Sequence, residues 1–438
     1  MDIPLIPAPS RLDLRDEPGY LVDGEVQVHG QPSAATGEHY RIRVRAHGIE
    51  VDAGPAGWPR ARAVIAQLVA LTGPTIPALD ITDQPRYRWR GLMIDIARHY
   101  FGPEILREVI DLAASYGLNV LHLHLTDDQG WRLQVPGRPE LTDHSGPHDA
   151  SGGAGGYLST ADYTGLVRYA GERGIAVIGE IDLPGHSNAA LHAVPELNPD
   201  GRSADAYAGT DVGFSTLESS LPATGPFVAD VLGELARLGG AEFVHIGADE
   251  VQRLPAGDYL DFVAHLEQVV ADAGKRTVAW QEAAAGLCRP DSLVQFWDCR
   301  LDPGPVIDAA GRGLQVILSP APHTYLDMKT DPGCRLGQDW AGFVDLRASY
   351  DWDPEQTVPG LPPSAIAGVE AALWTETIRT RDDLFDMLLP RLAAIAEVAW
   401  TSQQQRSWEQ FAARVQVHRQ WWRERGYLPD ASGGTLTA

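Results

Sequence analysis

Two acidic residues, Asp249 and Glu250, lie side by side after an apolar run in this sequence. The run, residues 243–246, carries aromatic and β-branched side chains and predicts a buried strand. Adjacent residues of an extended strand point to opposite faces, so both acids serve one site only if the chain bends at Gly247 and Ala248. Paired carboxylates are the usual machinery of glycoside hydrolysis. From these residues alone, a helix N-terminus with acids near its dipole is the alternative.

Strands and helices alternate from Trp89 onward. The predicted strands are 90–96, 119–125, 176–182, 242–248, 276–281, 292–298, 314–319 and 368–374. The predicted helices are 103–115, 161–173, 226–238, 257–273, 304–312 and 382–399. Eight strands in β-then-α order predict an α/β fold, a (β/α)8 TIM barrel. A doubly wound sheet is the alternative, but no Gly-x-Gly-x-x-Gly follows a strand.

The first 84 residues have a different pattern and predict a small α+β accessory domain before the barrel. Strands are expected at 20–22, 25–28, 40–44 and 49–51, a helix at 59–72, and a proline-containing linker at 75–85. The catalytic barrel is assigned to 85–425 and a C-terminal tail to 426–438. Within the barrel, the long segment 183–225 is expected to be functional, and the loop 142–156 to be mobile.

Polar and aromatic side chains collect where the predicted barrel strands end. In chain order they are Asp95, Arg98 and His99; Asp127 and Asp128; Glu180, Asp182 and His186; Asp249 and Glu250; Trp280; Trp297 and Asp298; Tyr325 and Asp327; and Trp374 and Glu376. In a barrel these ends face one mouth. Indole rings pack against the apolar face of a pyranose, and carboxylates and arginine bind its hydroxyls. The set therefore predicts a sugar pocket.

Composition excludes several other classes of function. The net charge of −24 over 438 residues disfavours binding to nucleic acid or to an anionic membrane. The sequence has no apolar run of about 18 residues and no secretory signal pattern, so a cytoplasmic protein is expected. Three cysteines are too few for a disulfide framework, although an oxidising compartment would allow a single Cys288–Cys299 bridge. The sequence does not indicate an oligomeric state.

A metal site is a further alternative, because His122 and His124 share a strand face close to Asp127. Such a site needs three or four converging ligands with supporting hydrogen bonds. We favour histidines whose ring nitrogens form hydrogen bonds inside the barrel. We expect no metal and no cofactor. A nucleophile elbow and a P-loop are absent from the sequence, so serine hydrolase and NTPase functions lack a motif.

Seven motifs over about residues 85–400 resemble the family 20 glycoside hydrolases, the β-N-acetylhexosaminidases. They span residues 90–100, 123–131, 180–186, 245–250, 325–329, 350–354 and 373–376. The resemblance implies an exo-acting enzyme that removes terminal β-linked N-acetylglucosamine or N-acetylgalactosamine from an oligosaccharide or glycoconjugate. It also implies a retaining mechanism in which the substrate's own acetamido oxygen attacks the anomeric carbon.

The resemblance also implies a role for each site residue. Glu250 would be the general acid and then the base, and Asp249 would orient the acetamido group, supported by Asp182. The remaining implied roles are a hydrogen bond from Tyr325 to the acetamido oxygen, a relay to Glu250 through Asp127 and His186, and pocket walls from Trp280, Trp297 and Trp374. Sugar hydroxyls far from the scissile bond would be bound by Arg98 and Glu376, and the 6-hydroxyl by Asp327.

One position departs from the family pattern, since Ala248 stands where the family has glycine. A methyl group there would be strained if the backbone φ were positive. Two functional alternatives also remain, which are a non-catalytic carbohydrate-binding barrel and a family member specialised for a disaccharide or for 6-sulfated N-acetylglucosamine.

Overall fold

The computed structural model describes residues 3–30 and 36–428, and its first unit is a five-stranded sheet packed on a helix. The sheet order is Arg11–Leu14, Leu79–Asp83, Tyr40–Arg45, Gly48–Ala53 and Val28–His29, with a separate pair formed by Tyr20–Leu21 and Thr75–Ile76. Strand Tyr40–Arg45 alternates buried and exposed residues, so one face of the sheet is apolar. That face packs against helix Gly57–Leu71.

The prediction of a linker at 75–85 is wrong. Leu79–Asp83 is an inner strand, antiparallel to both Arg11–Leu14 and Tyr40–Arg45. Its alternate residues Leu79, Ile81 and Asp83 are buried. The prolines that flank this short segment suggested a linker, but they lie outside the hydrogen-bonded residues. The strand Arg11–Leu14 was not predicted at all.

The second unit is a closed barrel of eight parallel strands, which confirms the predicted fold class. The strands are Trp89–Asp95, Val120–His124, Ala176–Glu180, Phe243–His245, Arg276–Trp280, Leu293–Phe296, Gln315–Leu318 and Ile366–Leu373. Each strand pairs with the next, and the last pairs with the first. Closure excludes the doubly wound sheet, and it brings all eight carboxyl ends to one mouth. A short hairpin, Thr126–Asp127 with Gly130–Trp131, follows the second strand.

Helices surround the barrel and fill its connections. The α-helices after the accessory unit are Pro103–Ser115, Pro139–Ser145, Thr160–Gly171, Asn188–Ala193, Thr224–Leu238, Ala256–Asp272, Gly304–Gly311, Ala321–Thr324, Leu346–Tyr350, Pro354–Thr357, Arg381–Leu388, Arg391–Trp400 and Trp408–Glu424. Short 3-10 turns are Pro195–Leu197, Gln281–Ala285, Pro363–Ala365 and Gln403–Gln405. None of the helices in the described ranges is both long and apolar enough to cross a membrane.

Two local predictions need correction. The helix expected at 382–399 is two helices, because Pro390 lacks the amide hydrogen that a continuous helix needs. The loop 142–156 is held by buried Arg132, which donates to the carbonyls of Gly146 (2.7 Å) and His148 (2.6 Å). Of the expected C-terminal tail, residues 429–438 lie outside the described residues.

A buried charge cluster joins the accessory unit to the barrel. The Glu38 carboxylate accepts hydrogen bonds from Arg60 (2.7 Å) and from Arg90 (2.6 and 2.8 Å). Arg60 and Arg90 are 3% and 0% exposed, so their charges depend on this one carboxylate and on backbone carbonyls.

Glu38→Ala is expected to destabilise the protein by about 3–5 kcal/mol, because it leaves two buried guanidinium groups without their counter-charge. The matched control is Glu50→Ala, since Glu50 pairs with Arg43 at 3.6 Å and both side chains are about half exposed. The control should cost about 0–1 kcal/mol. Urea denaturation measures both changes, and equal losses would contradict the assignment of Glu38 as the joining charge.

Candidate active site

A cavity of about 270 Å³ opens at the carboxyl ends of the barrel strands. Eleven of the twelve residues predicted for the site line it, namely Arg98, Asp127, Asp182, His186, Asp249, Glu250, Trp297, Tyr325, Asp327, Trp374 and Glu376. Thr210, Val212, Arg300, Gln338 and Trp340 complete the wall. The barrel thus brings together residues that lie far apart in the sequence, although their individual roles remain predictions.

The acidic pair lies on a backbone turn in the left-handed region. Gly247, Ala248 and Glu250 have φ values of 69°, 77° and 50°. Asp182 fixes this turn, because its Oδ1 accepts the Ala248 amide at 2.9 Å. A Cβ atom on Gly247 would lie 1.8 Å from that same oxygen, so only glycine fits there. The following helix starts only at Ala256, which excludes the helix N-terminus alternative for the acids.

Asp249 and Asp182 are two buried carboxyl groups that lie close together. Burial, with His186 opposing, raises the pKa of Asp182 to about 7. Burial and the neighbouring Asp182 raise the pKa of Asp249 well above its ordinary value. Asp249 Oδ1 and Asp182 Oδ2 have no hydrogen-bond partner among the described residues. Asp249 can therefore accept a hydrogen bond from a ligand, and a ligand with positive charge would favour its ionised form.

Glu250 ends a chain of charged contacts that crosses the cavity floor. Its Oε2 lies 3.3 Å from Nε2 of His186, whose Nδ1 contacts Asp127 Oδ1 at 3.1 Å. Asp127 Oδ2 forms an ion pair with Arg98 Nη2 at 2.8 Å. Burial alone would raise the pKa of Asp127, but Arg98 and His186 outweigh it and hold this pKa well below its ordinary value. For His186 the carboxylates outweigh burial, so its pKa is raised.

Asp327 and Glu376 supply further acceptors to the cavity lining. Asp327 Oδ1 and Glu376 Oε2 are buried without a hydrogen-bond partner in the part of the chain that the structure describes. Burial and their mutual repulsion raise the pKa of Asp327. The guanidinium of Arg98 lies over the Trp374 ring, 5.0 Å from its centroid. Unpaired acceptors beside a cation and an indole face suit the hydroxyl groups of a sugar.

Aromatic rings form one side of the cavity. Trp297 and Tyr325 lie nearly parallel, with centroids 6.0 Å apart and planes 8° apart. Burial raises the pKa of Tyr325 well above its ordinary value, so its hydroxyl keeps its proton and can donate. Trp280, predicted as a third wall, is fully buried instead. It packs behind Trp374, at 5.8 Å between centroids, and its indole donates to Glu180 at 2.7 Å.

Sequence reasoning missed Arg300 and Trp340, which line the cavity, and Glu282, which contacts the lining residue Trp297. Glu282 accepts from the Trp297 indole at 3.1 Å, and burial with nearby Asp249 raises its pKa to about 8. Arg300 lies over the ring of Trp340, 4.8 Å from its centroid. Glu282 comes two residues after a strand end and could have been found by the rule used for the others. Trp340 lies in a loop without a strand signal.

The buried histidines pair with carboxylates. Ligand atoms of His122, Glu180 and His245 lie within 4.8 Å of one another, the spacing of a metal site. However, Glu180 already contacts His122, His124 and the Trp280 indole, and His245 Nδ1 accepts the Gly247 amide at 3.0 Å. Protein donors engage these atoms, so the arrangement favours histidines paired inside the barrel over a metal, although His245 Nε2 has no hydrogen-bond partner among the described residues.

Comparison with known proteins identifies the family. The model of the glycosyl hydrolase family 20 catalytic domain matches residues 87–403. The chain belongs to this family. It is 48% identical over 399 residues to a β-N-acetylhexosaminidase of Cellulomonas fimi, covering 90% of this chain and 80% of that protein.

Two solved structures of family 20 enzymes are also close. The first is a Streptomyces plicatus N-acetyl-β-hexosaminidase in complex with thio-NAglucal, with a TM-score of 0.93, 35% identity, and coverage of 99% and 98% of the two chains. The second is a mutant of the Streptomyces plicatus β-hexosaminidase in complex with the product GlcNAc, with a TM-score of 0.91 and 34% identity over the same shares.

Ala248→Gly is expected to stabilise the family 20 fold by about 0.5–1 kcal/mol, because glycine adopts a positive φ without strain. Activity should be retained, since the Ala248 amide that bonds Asp182 is unchanged. The control is Ala279→Gly in strand Arg276–Trp280, which should destabilise the protein by a similar amount. Thermal unfolding measures the stability of both variants. A lower stability of Ala248→Gly than of the wild type would contradict backbone strain at Ala248.

Asp182→Asn is expected to be more stable than the wild type at pH 8 but not at pH 4. Burial raises the Asp182 pKa from 3.8 to about 7. Between these values the folded state holds a proton that the unfolded chain has released, so stability falls as pH rises. Asparagine keeps an oxygen for the Ala248 amide and cannot ionise. The gain at pH 8 is on the order of 1–3 kcal/mol, measurable by urea denaturation. A pH-independent difference would contradict titration of Asp182.

Proposed function

We propose that the protein is an exo-acting β-N-acetylhexosaminidase that removes one terminal N-acetylglucosamine or N-acetylgalactosamine per event. The observation that carries the proposal is the turn at residues 247–250, which faces two adjacent carboxyl groups into one cavity with an Asp249 oxygen left unpaired. Relatives named as β-N-acetylhexosaminidases support the substrate class.

The shape of the cavity supports removal of a single terminal sugar. Its volume of about 270 Å³ is just below the range for ligand sites, about 300–1,000 Å³. Asp327, Glu376 and Arg98 line the cavity and are assigned to hydroxyl groups of the terminal sugar. In this proposal the terminal sugar fills the cavity, and the rest of the substrate extends past Glu250.

The adjacent acids support a mechanism assisted by the substrate. In the first step, the acetamido oxygen forms a bond to the anomeric carbon while the bond to the leaving oxygen breaks. Glu250 gives its proton to that oxygen, and Asp249 binds the acetamido N–H and offsets the positive charge of the oxazolinium ring. In the second step, Glu250 takes a proton from water as the water oxygen replaces the acetamido oxygen. Two inversions give retention.

The other cavity residues have supporting roles in this proposal. The protonated Tyr325 hydroxyl donates to the acetamido oxygen, while Trp297 and Trp374 pack against the acetamido group and the ring. His186 and Asp127 adjust the charge beside Glu250. Hydroxyl groups of the sugar pair with Arg98, Asp327 and Glu376.

The alternatives receive less support from the cavity. A non-catalytic sugar-binding barrel has no use for Asp249 and Glu250 on a strained turn. A 6-sulfated substrate would bring an anion toward Asp327, which has no free cation beside it in the described part of the chain, because the nearby Arg391 is engaged by the carbonyls of Leu326 and Met328.

Glu250→Gln and Asp249→Asn test the two acids separately. Glu250→Gln should lower kcat/KM by about 100-fold or more on an unactivated disaccharide, and much less on a 2,4-dinitrophenyl glycoside whose leaving group needs no proton. Asp249→Asn should lower kcat/KM by a similar factor on both substrates, because the acetamido group loses its negative partner. Release of sugar and of nitrophenol measures these rates across β-linked N-acetylglucosamine, N-acetylgalactosamine and 6-sulfated substrates.

Ligand affinity is the control for these variants, because Glu250→Gln should bind N-acetylglucosamine as the wild type does. Wild-type protein that binds N-acetylglucosamine but hydrolyses none of these substrates between pH 4 and pH 8 would refute the proposed enzymatic activity. An Asp249→Asn variant close to wild type would refute substrate assistance.

A further inference from the structure

A row of charged residues continues from the active site down into the barrel interior. Barrel interiors are normally filled with layers of branched apolar side chains. Here such a layer is found only lower down, where Val120, Ile178 and Val278 pack together. The layer above it consists of His122, His124, His245, Glu180 and Glu370, all of which are at most 1% exposed.

These residues form a continuous chain of contacts that ends at Glu250. Glu370 Oε1 contacts His122 Nδ1 at 2.8 Å, and His122 Nε2 contacts Glu180 Oε2 at 3.1 Å. The same Glu180 oxygen bonds His124 Nδ1 at 2.5 Å. His124 Nε2 then bonds Asp127 Oδ2 at 2.8 Å. Asp127 leads to Glu250 through His186, as described above.

Acids and bases alternate along this chain. The carboxylates outweigh burial at both imidazoles, so the pKa of His122 is raised to about 9 and that of His124 is raised well above its ordinary value. Three histidines outweigh burial at Glu180 and hold its pKa well below its ordinary value. His245 faces the same carboxylate at 3.1 Å, but burial and His122 lower its pKa.

We infer that Glu180 is a positioning residue that fixes a second proton on His124 and thereby controls which of His186 and Glu250 holds the catalytic proton. This inference rests on the proposed function. With two protons, His124 presents a cation to Asp127, in addition to Arg98. A carboxylate already shared between two cations holds the His186 proton less strongly, which leaves Glu250 able to carry the proton that the leaving group needs.

Stability does not account for this buried layer. Replacing buried ion pairs by packed apolar residues is often neutral or stabilising, so such pairs are weak evidence of a structural purpose. The chain also has a direction, because every link after Glu180 leads toward the general acid. A row of buried charges that ends on a reacting group indicates a functional constraint.

Glu180→Gln is the direct test, because glutamine preserves shape and hydrogen bonds. Its amide oxygen can accept the Trp280 indole, and its two N–H groups can donate to His122 and His124. Both histidines must then be neutral. Asp127 loses one cationic partner, His186 holds its proton more strongly, and the catalytic proton moves from Glu250 toward His186. The alkaline limb of the kcat/KM profile should move down by about one pH unit.

The matched control is Glu370→Gln, which changes another fully buried carboxylate two links further from Glu250. This variant should shift the limb by much less. The other charged groups around Glu250 and His186, which are Asp249, Asp182, Arg98, Arg300 and Glu282, are unchanged in both variants. Thermal unfolding verifies that both variants are folded at the assay temperature.

A second measurement covers the case in which Glu180→Gln does not fold. Nitrogen-15 NMR of the wild-type histidines reports the protonation of each ring between pH 5 and pH 9. Doubly protonated His124 throughout this range supports the inference, and neutral His124 at pH 7 overturns it. Equal limb shifts in the two variants, or lower activity with no shift in Glu180→Gln, also overturn it. An inactive wild type would instead refute the proposed function.

Discussion

The hydrogen bond from the Ala248 amide to Asp182 is the constraint on which the site depends. It fixes the turn in which Gly247, Ala248 and Glu250 adopt positive φ, and without that turn two adjacent acids would point to opposite faces of a strand. The carboxylate that makes this bond comes from the third barrel strand and the amide from the end of the fourth. Closure of the barrel therefore positions the two acids, and the strained alanine shows that their geometry is kept at a cost in stability.

The cavity also depends on how buried carboxyl groups are paired with neighbouring charges. The cavity combines carboxyl groups whose pKa values are raised, such as Asp182 and Asp249, with Asp127, whose pKa is lowered. Burial acts on all three in the same direction, so the difference comes from neighbours, since Asp127 faces Arg98 and His186. Environments that push the pKa values of similar groups apart allow one cavity to hold a proton donor, an ionised partner and a cation-stabilising acid.

The sequence predicted most of the barrel because its strands are continuous apolar runs in strict alternation with helices. It did not predict the strand Leu79–Asp83, whose partners lie far away in the sequence and whose flanking prolines suggested a linker. Strand ends identified the cavity residues, but the depth of each side chain depends on the pleat and tilt of the barrel. Trp280, predicted as a cavity wall, consequently lies buried beneath the wall, and Trp340 reaches the rim from a loop that the sequence did not identify.

The central claim is that Asp249 and Glu250 act on one sugar with separate tasks. A crystal structure with the thiazoline analogue of N-acetylglucosamine tests it most directly, because the analogue mimics the oxazolinium ring. We predict an Asp249 oxygen at hydrogen-bond distance, about 2.7–3.0 Å, from the ring nitrogen, and Glu250 beside the anomeric carbon on the opposite face. An analogue whose nitrogen contacts Glu250, or neither acid, would contradict the account.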